Sequence, residues 1–224
     1  MNRTISAIIP AAGAGKRFSD KFKKQYFLIN GKPVIYYTLK NLNESYGFDE
    51  ILIGYGQDDL DLLKEVVESL NIKNCEFVKG GKERFDTVYN CFLKSTSEYI
   101  LIHDAVRPFI NREIVNECIS NAFRYQAAIC GVKPRDTVKL VNGFEVDKTI
   151  DREKVFLVHT PQVFKKEILR EAFDYQRRNN IFVTDEASMV EMLGHKVYIS
   201  LSSFSNVKLT EYDDIKYFEY LINR

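Results

Sequence analysis

Short apolar runs alternate with segments of helical periodicity along the first 130 residues of the chain. Uninterrupted apolar runs such as Ile51–Ile53 and Tyr99–Ile102 are typical of strands buried on both faces of a parallel sheet. Between such runs, apolar residues recur every three or four positions, which indicates amphipathic helices. This alternation favours an α/β fold with a doubly wound, mostly parallel sheet. The pattern predicts strands at 6–9, 50–55, 75–78, 99–102 and 127–132, and helices at 32–42, 58–70, 86–94 and 112–124.

A different pattern follows Pro134. Residues 137–141 and 144–147 alternate in polarity on either side of Asn142-Gly143, a dipeptide that favours a two-residue hairpin turn. We therefore predict a β-hairpin arm at about 136–150. An isolated hairpin is marginally stable in water, and this one has little apolar surface to bury against its own domain. We expect it to pack on a second subunit, as part of a homodimer.

The remaining segments resume the alternation. A helix is expected to begin at Thr184, with Thr184 as its cap and with Asp185 and Glu186 complementing the helix dipole. No change of composition marks a linker, so residues 1–224 are expected to form a single domain that includes the arm. Further strands are predicted at 155–158, 161–164 and 197–201, and further helices at 166–176 and 211–222.

The end of the first strand carries the strongest candidate chemistry. Residues 11–17, Ala-Ala-Gly-Ala-Gly-Lys-Arg, are small and then cationic, and small residues let backbone N–H groups approach an anion closely. Lys24 would add positive charge to the same loop. Because ligands bind outside the carboxyl ends of strands in doubly wound sheets, the loops at 11–17, 80–84 and 103–107 are expected to meet in one cleft. The pattern predicts a polyphosphate site, with a tight turn and ordinary surface lysines as the alternative.

The loop lacks the features of two common phosphate-binding loops. A P-loop needs Ser or Thr after its lysine, and here Arg17 follows Lys16. The dinucleotide fingerprint needs a third glycine at the position that Phe18 occupies. The pattern therefore disfavours an NAD-binding oxidoreductase, which cofactor titration would test.

Composition and charge restrict the class of protein further. The chain has 224 residues and a formal net charge of +1, so neither nucleic acid nor a membrane surface is expected as a partner. Its four cysteines form no Cys-x-x-Cys pair, and a reducing compartment is expected. No apolar run approaches the roughly 20 residues of a membrane span. We expect a cytoplasmic protein.

Several polar residues have structural interpretations beside functional ones. Asp104 could cap the loop that follows its strand, and His103 is expected to be a hydrogen-bonded core histidine rather than a base. Arg152 could belong to a surface ion pair. The segment Thr184–Glu186 is fully explained as the start of a helix. The three histidines of the chain do not have the spacing of metal ligands. Cysteines in apolar stripes are expected in the core, namely Cys91, Cys118 and Cys130.

An ordered set of short motifs resembles the 2-C-methyl-D-erythritol 4-phosphate cytidylyltransferase family, of the nucleotide-diphosphosugar transferase superfamily. No single motif decides the resemblance, but together they run in the family's order over most of the chain. The motifs are Ala11-Ala12-Gly13-x-Gly15-x-Arg17, Lys24-Gln25, Gly80-Gly81-x-x-Arg84, His103-Asp104-Ala105-x-Arg107-Pro108, Asp136-Thr137, Asp151-Arg152, Thr160-Pro161-Gln162, Thr184-Asp185-Glu186-Ala187-Ser188 and Asn206-x-Lys208.

The resemblance implies a Rossmann-like nucleotidyltransferase. The implied reaction transfers a cytidylyl group from CTP to 2-C-methyl-D-erythritol 4-phosphate and releases pyrophosphate, in non-mevalonate isoprenoid synthesis. Mg²⁺ is the implied cofactor, held beside the phosphates at Asp104. The implied catalytic residues are Arg17, Lys24, Arg152 and Lys208. The implied substrate-binding residues are Ala11, Ala12, Gly13, Gly15, Gly81, Thr87, Asp104, Ala105, Arg107 and Thr137.

The resemblance also implies how these residues divide the work. The loop at 11–17 would wrap the triphosphate, with Arg17 and Lys24 neutralising it. Arg107 and Lys208 would approach the reacting phosphates. Thr137 and Arg152 would reach the sugar phosphate bound to the partner subunit, in agreement with the separate argument from the hairpin. Cytosine and ribose would contact Gly81, Thr87 and Ala105.

Two positions depart from the family's pattern. The family usually has proline before Lys24, where this chain has Lys23, and an acid after Gly81, where this chain has Lys82. These departures leave the shape of the first loop and the choice of nucleotide open. One alternative function is a cytidylyltransferase for another polyol phosphate, such as ribitol 5-phosphate. Another is a nucleotide-sensing protein without turnover, which the intact set of cations disfavours.

Overall fold

The structure of the protein is a computed structural model that describes residues 3–13, 18, 22–181 and 183–223. The strands of its central sheet are β1 (Ile5–Pro10), β4 (Glu50–Tyr55), β5 (Cys75–Lys79), β6 (Tyr99–Ile102), β7 (Ala127–Val132), β10 (Leu157–Lys165) and β11 (Tyr198–Leu201). The strands of two small hairpins are β2 (Leu28–Ile29), β3 (Lys32–Pro33), β8 (Val138–Asn142) and β9 (Glu145–Ile150). The helices are α1 (Val34–Ser45), α2 (Leu60–Ser69), α3 (Arg84–Lys94), α4 (Arg112–Tyr125), α5 (Lys166–Asn179), α6 (Glu186–Met192) and α7 (Ile215–Ile222).

The central sheet has the strand order β11-β7-β10-β6-β1-β4-β5. Every neighbouring pair is parallel except the two that involve β10, which runs antiparallel to both β6 and β7. The predicted mostly parallel sheet is therefore confirmed. The strands expected at 155–158 and 161–164 are one strand, β10, whose register shifts between His159 and Gln162, around a cis peptide at Thr160–Pro161.

Helices cover both faces of this sheet. Side chains of a strand alternate between the two faces, so Ala7 and Ile9 of β1 pack with α1, α2 and α4, whereas Ile8 packs with α3, α5 and α6. This is the doubly wound arrangement that the sequence predicts. A third apolar cluster joins Phe218 of α7 to Val106 and Leu209, and so fixes the end of the chain beside the loop that follows β6.

Several helix starts differ from the predictions by two to four residues, and capping explains two of these differences. Asp185, rather than Thr184, caps α6, because its extended backbone (φ −154°) lets its carboxylate accept the N–H of Ser188 at 3.0 Å. Helix α3 begins at Arg84, earlier than expected, because Glu83 and Asp86 form a reciprocal capping box around its first turn.

The predicted hairpin arm is present as β8 and β9. The two strands pair antiparallel across the turn, with Asn142 opposite Glu145 and with Gly143 at φ +61°. Both strands are exposed along most of their length, and the Phe144 side chain at the tip is fully exposed. The arm therefore leaves apolar side chains uncovered by its own chain.

No helix in the described part of the chain is both long enough and apolar enough to cross a lipid bilayer.

Candidate active site

A cavity of about 460 Å³ opens at the carboxyl edge of the sheet, beside the ends of β1 and β6. Its walls come from the residues after β1, the first turn of α3 and the residues after β6. Doubly wound sheets bind their ligands at this edge. The cavity brings together predicted site residues that are distant in sequence, namely Ala11, Ala12, Gly13, Lys24, Thr87, Asp104, Ala105 and Lys208.

Asp104 is the centre of a cluster of cations in this cavity. Its Oδ1 accepts a hydrogen bond from Arg84 Nε at 3.1 Å, and its Oδ2 accepts one from Lys208 Nζ at 2.8 Å. Arg107 Nε lies 3.4 Å from the same Oδ2. Three cations therefore surround one carboxylate whose side chain is only 8% exposed. This excess of positive charge makes the cavity suited to an anionic ligand.

The cations also determine the protonation state of Asp104. Burial alone would raise the pKa of this carboxyl group, but the charges of Arg84, Lys208 and Arg107 outweigh burial and hold its pKa well below the usual range. Asp104 is therefore ionised at neutral pH. An ionised carboxylate keeps the three cations in place before a ligand arrives.

Arg84 lines the cavity, although sequence reasoning assigned it no role. Its Nη1 donates to both carboxylate oxygens of Glu186, at 2.7 and 3.0 Å, while its Nε donates to Asp104. The Glu186 side chain is 1% exposed, so this partner is fixed in the core below the site. Glu186 therefore holds the guanidinium group that in turn orients Asp104. The sequence did carry a signal for this pair, because Arg84 and Glu186 each stand in one of the motifs that resemble the family.

The segment that carries Lys208 is tied to the loop that follows β6. Arg107 Nη1 donates to the carbonyl oxygen of Asn206 at 2.8 Å. Asn206 is itself buried, and its Nδ2 donates to the carbonyl oxygen of Thr160 in β10 at 2.9 Å. These bonds place Lys208, near the end of the chain, against a carboxylate that follows β6.

A glutamine holds the loop after β1. Gln25 is buried, and its Nε2 donates to the carbonyl oxygens of Ala11 at 2.6 Å and Gly13 at 2.9 Å. These bonds support the three small residues that line the cavity. Gly15 and Arg17 lie outside the described residues, so their roles stay predictions.

The second glycine turn closes against the first loop. A Cβ atom on Gly80 would collide with the Ala12 side chain and with Thr87 Oγ1, so only glycine permits this close approach. Gly81 donates its N–H to Thr87 Oγ1 at 3.2 Å, which orders the entrance to α3. Lys82 lines the same cavity and places a further cation there.

His103 has a structural role, as predicted. It is fully buried, with Nδ1 and Nε2 each 3.0 Å from an oxygen, the Thr160 hydroxyl and the Arg107 carbonyl respectively. Burial lowers the pKa of His103 to about 4, so the ring is neutral. The predicted core cysteines are also confirmed, since Cys91, Cys118 and Cys130 are buried and burial raises the pKa of each thiol.

A second cavity of about 310 Å³ adjoins the first. Arg84, Asp104 and Lys208 line both cavities, so the cation cluster forms their common wall. The remaining walls of the second cavity come from β10 and from the start of α6. Those residues include Arg107, His159, Thr160, Gln162, Thr184 and Asp185. Thr184 and Asp185 therefore lie at the site, although the sequence analysis left them out of it.

Thr137 and Arg152 lie apart from the cluster within one chain. Thr137 is exposed at the base of the arm, and Arg152 is exposed in the turn after it, where Nη1 donates to the Arg135 carbonyl oxygen at 2.6 Å. Neither Thr137 nor Arg152 is one of the described residues that line the two cavities. Their expected role at the partner's site stays a prediction.

Asp104 is the residue implied as a metal ligand. In the described ranges, no group of three or more His, Cys, Asp or Glu side chains is arranged to hold a metal ion. Mg²⁺ in nucleotide sites is commonly bound by one or two carboxylates, with substrate phosphates and water as its other ligands. A single ionised carboxylate in a cavity for a polyphosphate fits a site of that kind.

Comparisons with known proteins identify the family of this chain. The family model of 2-C-methyl-D-erythritol 4-phosphate cytidylyltransferase matches residues 5–224. A curated relative of that name from Clostridium beijerinckii is 40% identical, over 97% of this chain and 98% of its own length. Another from Clostridium perfringens is 38% identical, over 99% of this chain and 100% of its own.

Solved structures are similar over nearly the whole chain. The 4-diphosphocytidyl-2C-methyl-D-erythritol synthase of Anaerococcus prevotii is 30% identical and has a TM-score of 0.88, with 99% of both chains covered. The 2-C-methyl-D-erythritol 4-phosphate cytidylyltransferase of Francisella tularensis is 31% identical with a TM-score of 0.80, and 97% of this chain and 99% of that one are covered. Since both kinds of match run from end to end, this chain belongs to the 2-C-methyl-D-erythritol 4-phosphate cytidylyltransferase family of nucleotidyltransferases.

Proposed function

We propose that this chain transfers the cytidylyl group of CTP to 2-C-methyl-D-erythritol 4-phosphate, and that the two phosphates meet at the Asp104 cluster. The observation that carries this proposal is the common wall of the two cavities, formed by Arg84, Asp104 and Lys208. The larger cavity takes the nucleotide and the smaller takes the sugar phosphate. Two reacting anions are thereby brought to the same set of cations.

The reaction needs charge neutralisation more than a reactive side chain. A phosphate oxygen of the sugar phosphate attacks the α-phosphorus of CTP, and the bond to the β-phosphate breaks as pyrophosphate leaves. Lys24, Lys208 and Arg107 reduce the repulsion between the reactants and stabilise the charge that develops. Asp104 holds Lys208 and Arg107 in place before a ligand arrives, so these two cations need little rearrangement during the reaction.

Asp104 is the residue that would hold Mg²⁺, together with oxygens of the triphosphate. When bound, Mg²⁺ neutralises phosphate charge as a Lewis acid. Asp104 is ionised, as a carboxylate must be to bind a metal, and Mg²⁺ would share its oxygens with the cations that already contact them.

The second part of the proposal is a homodimer in which each arm completes the partner's site. The exposed apolar side chains of β8 and β9 support it, because an uncovered hairpin of this kind is stabilised by packing on another surface. Thr137 and Arg152 at the base of the arm would then reach the sugar phosphate in the second cavity of the other subunit.

Pyrophosphate release tests the substrate. The chain is incubated with CTP and Mg²⁺, and either 2-C-methyl-D-erythritol 4-phosphate or ribitol 5-phosphate is added. Release only with the first supports the proposed reaction. Release with ribitol 5-phosphate would identify the alternative cytidylyltransferase, and no release with either would contradict both.

Mixing of inactive variants tests the exchange of arms. Lys24→Ala disables the cavity of its own chain, and Arg152→Ala disables the contribution to the partner's cavity. Random mixing of equal amounts makes half of the dimers mixed, each with one intact site, so about a quarter of wild-type activity is expected to return. No recovery above the separate variants would contradict the exchange.

A further inference from the structure

The residue before Lys24 is paired with a nearly buried carboxylate. Lys23 Nζ lies 2.6 Å from Asp59 Oδ1 and 2.8 Å from Oδ2. The side chain of Asp59 is 8% exposed, and its Oδ2 also accepts the N–H of Gly56 at 3.2 Å. Removal of the lysine would leave a buried carboxylate without a cation, which is strongly unfavourable. The ion pair therefore fixes the position of Lys23.

This ion pair lies directly against the loop after β1. A Cβ atom on Gly56 would come within 2.6 Å of Asp59 Oδ2, 3.1 Å of Lys23 Nζ and 3.3 Å of the Ala12 carbonyl oxygen. Three separate segments of the chain thus meet at one point, where only glycine leaves enough space. The ion pair therefore lies beside the backbone of the loop whose residues line the triphosphate cavity.

Lys23 also begins the turn that carries Lys24. The turn is a 3₁₀ helix over Lys24–Tyr26, and the carbonyl oxygen of Lys23 accepts the N–H of Tyr26 at 2.9 Å. Burial and the negative charge of Asp59 raise the pKa of Tyr26, the last residue of the turn. Within the turn, Lys24 lines the cavity.

The backbone of Lys23 has the conformation that proline would impose. Its φ of −75° and ψ of 121° fall in the extended region open to proline, whose ring fixes φ near −65°. A lysine does not restrict φ in this way, so the same geometry needs a tie from outside the turn. Asp59 supplies that tie.

We propose that Lys23 is a positioning residue, whose ion pair with Asp59 holds the turn so that Lys24 faces the triphosphate. This inference rests on the proposed function. In this proposal Lys23 does not itself bind the nucleotide. Its ammonium group is held by Asp59, and Lys23 is not one of the described residues that line the cavity.

Three variants test the proposal by steady-state kinetics with CTP. Lys23→Ala and Asp59→Asn each break the ion pair, and each is expected to lower kcat/KM for CTP about 10-fold, as the loss of a supporting residue commonly does. The Asp59 side chain makes no capping hydrogen bond to α2, so Asp59→Asn removes the charge without removing a helix cap. The double variant Lys23→Pro with Asp59→Asn restores the backbone restraint without stranding a charge, and is expected to be within about twofold of wild type.

Salt gives a second measurement. Added NaCl screens a partly buried ion pair only weakly and does not act on the proline ring, so the ratio of wild-type kcat/KM to that of the double variant is expected to fall slightly as salt rises. Thermal unfolding of all three variants is measured alongside. If Lys23→Ala lowers the melting temperature and leaves kcat/KM unchanged, the residue is merely structural and the proposal is wrong.

The remaining outcomes are equally distinct. If the double variant stays as impaired as Lys23→Ala, Lys23 binds the nucleotide directly and the positioning role is overturned. If wild type does not turn over CTP at all, the proposed function fails. Wild-type turnover with no effect of any variant would contradict only this inference.

Discussion

Lys208 donates a hydrogen bond from Nζ to Asp104 Oδ2 at 2.8 Å, although the two residues are 104 positions apart in the chain. The bond joins the last segment before α7 to the loop after β6, and it places an ammonium group on the common wall of two cavities. In the proposed reaction, this is where the attacking phosphate and the triphosphate meet.

Lys208→Ala and Lys24→Ala are each expected to lower kcat about 10²–10³-fold, because loss of one preorganised donor to a developing charge commonly has that effect. Arg84 and Arg107 still neutralise Asp104 in the first variant, so the chain should fold. The measurement is pyrophosphate release at saturating substrate. Lys73→Ala, an exposed lysine remote from the site, is the control, and near wild-type turnover of either site variant would refute the role of that lysine.

Glu186→Gln tests the support of Arg84. Gln offers one acceptor oxygen where Glu186 offers two charged ones to Arg84 Nη1. We expect urea unfolding to show a loss of about 1.5–3 kcal/mol, the usual contribution of hydrogen bonds to charged groups. A fall in kcat of about 10-fold or more is also expected, since Asp104 loses a fixed partner.

Glu171→Gln is the matched control for that variant. Glu171 is an exposed acid whose partner is His195 at 3.4 Å, so its loss should change stability by less than about 0.5 kcal/mol. Equal stability losses in the two variants would show that Glu186 has no special role.

Stability should depend on pH through His103. Burial lowers the pKa of His103 from 6.5 to about 4, so the unfolded chain binds more protons between these values and stability falls as the pH falls. The contribution lost between pH 6.5 and pH 5 is about 1.5 kcal/mol. His159, whose pKa burial also lowers to about 4, acts with the same sign.

Urea midpoints of wild type and His103→Gln across that range measure this effect. The glutamine amide can still donate to the Arg107 carbonyl oxygen but does not titrate, so a flatter dependence on pH is expected. A slope equal to that of wild type would contradict the assignment to His103.

The arm should control assembly. Val141 and Val146 are cross-strand partners on β8 and β9, and both are about half exposed in the single chain. Val146→Asp is expected to weaken a homodimer at least about 10-fold, because a charge would replace buried apolar contact. Sedimentation velocity over a range of concentrations measures the change, with Lys64→Asp on α2 as the control. A wild-type chain that stays monomeric at all concentrations would contradict the proposed dimer.

The sequence predicts the layers of this fold well, because buried strands and amphipathic helices leave distinct periodicities. It does not predict the direction of β10. Alternation along a strand looks the same whichever way the strand runs, so only its neighbours decide the orientation. The cap of α6 shows a similar limit, since Thr184 and Asp185 are adjacent residues that both favour a helix start.

The site was less accessible to sequence reasoning than the fold. Arg84 and Glu186 are 102 positions apart, and each has a sufficient local explanation, Arg84 as a cation beside a glycine turn and Glu186 as an acid in the first turn of a helix. Only the folded chain shows that Glu186 contacts Arg84, which in turn contacts Asp104. The partner of Lys23 was hidden for the same reason, because Asp59 looks like an ordinary start of α2.

The reversed direction of β10 decides where the arm emerges. Gln162 pairs with Ile102 at the end of β6, so the earlier half of β10 projects past the parallel strands on the ligand side. The arm is inserted just before β10, so it emerges at the edge of the sheet where the cavities lie. An insertion before one of the parallel strands would emerge at the opposite edge. The hairpin is therefore free to lengthen or shorten during evolution without disturbing β1 or β6, the strands whose following loops line the larger cavity.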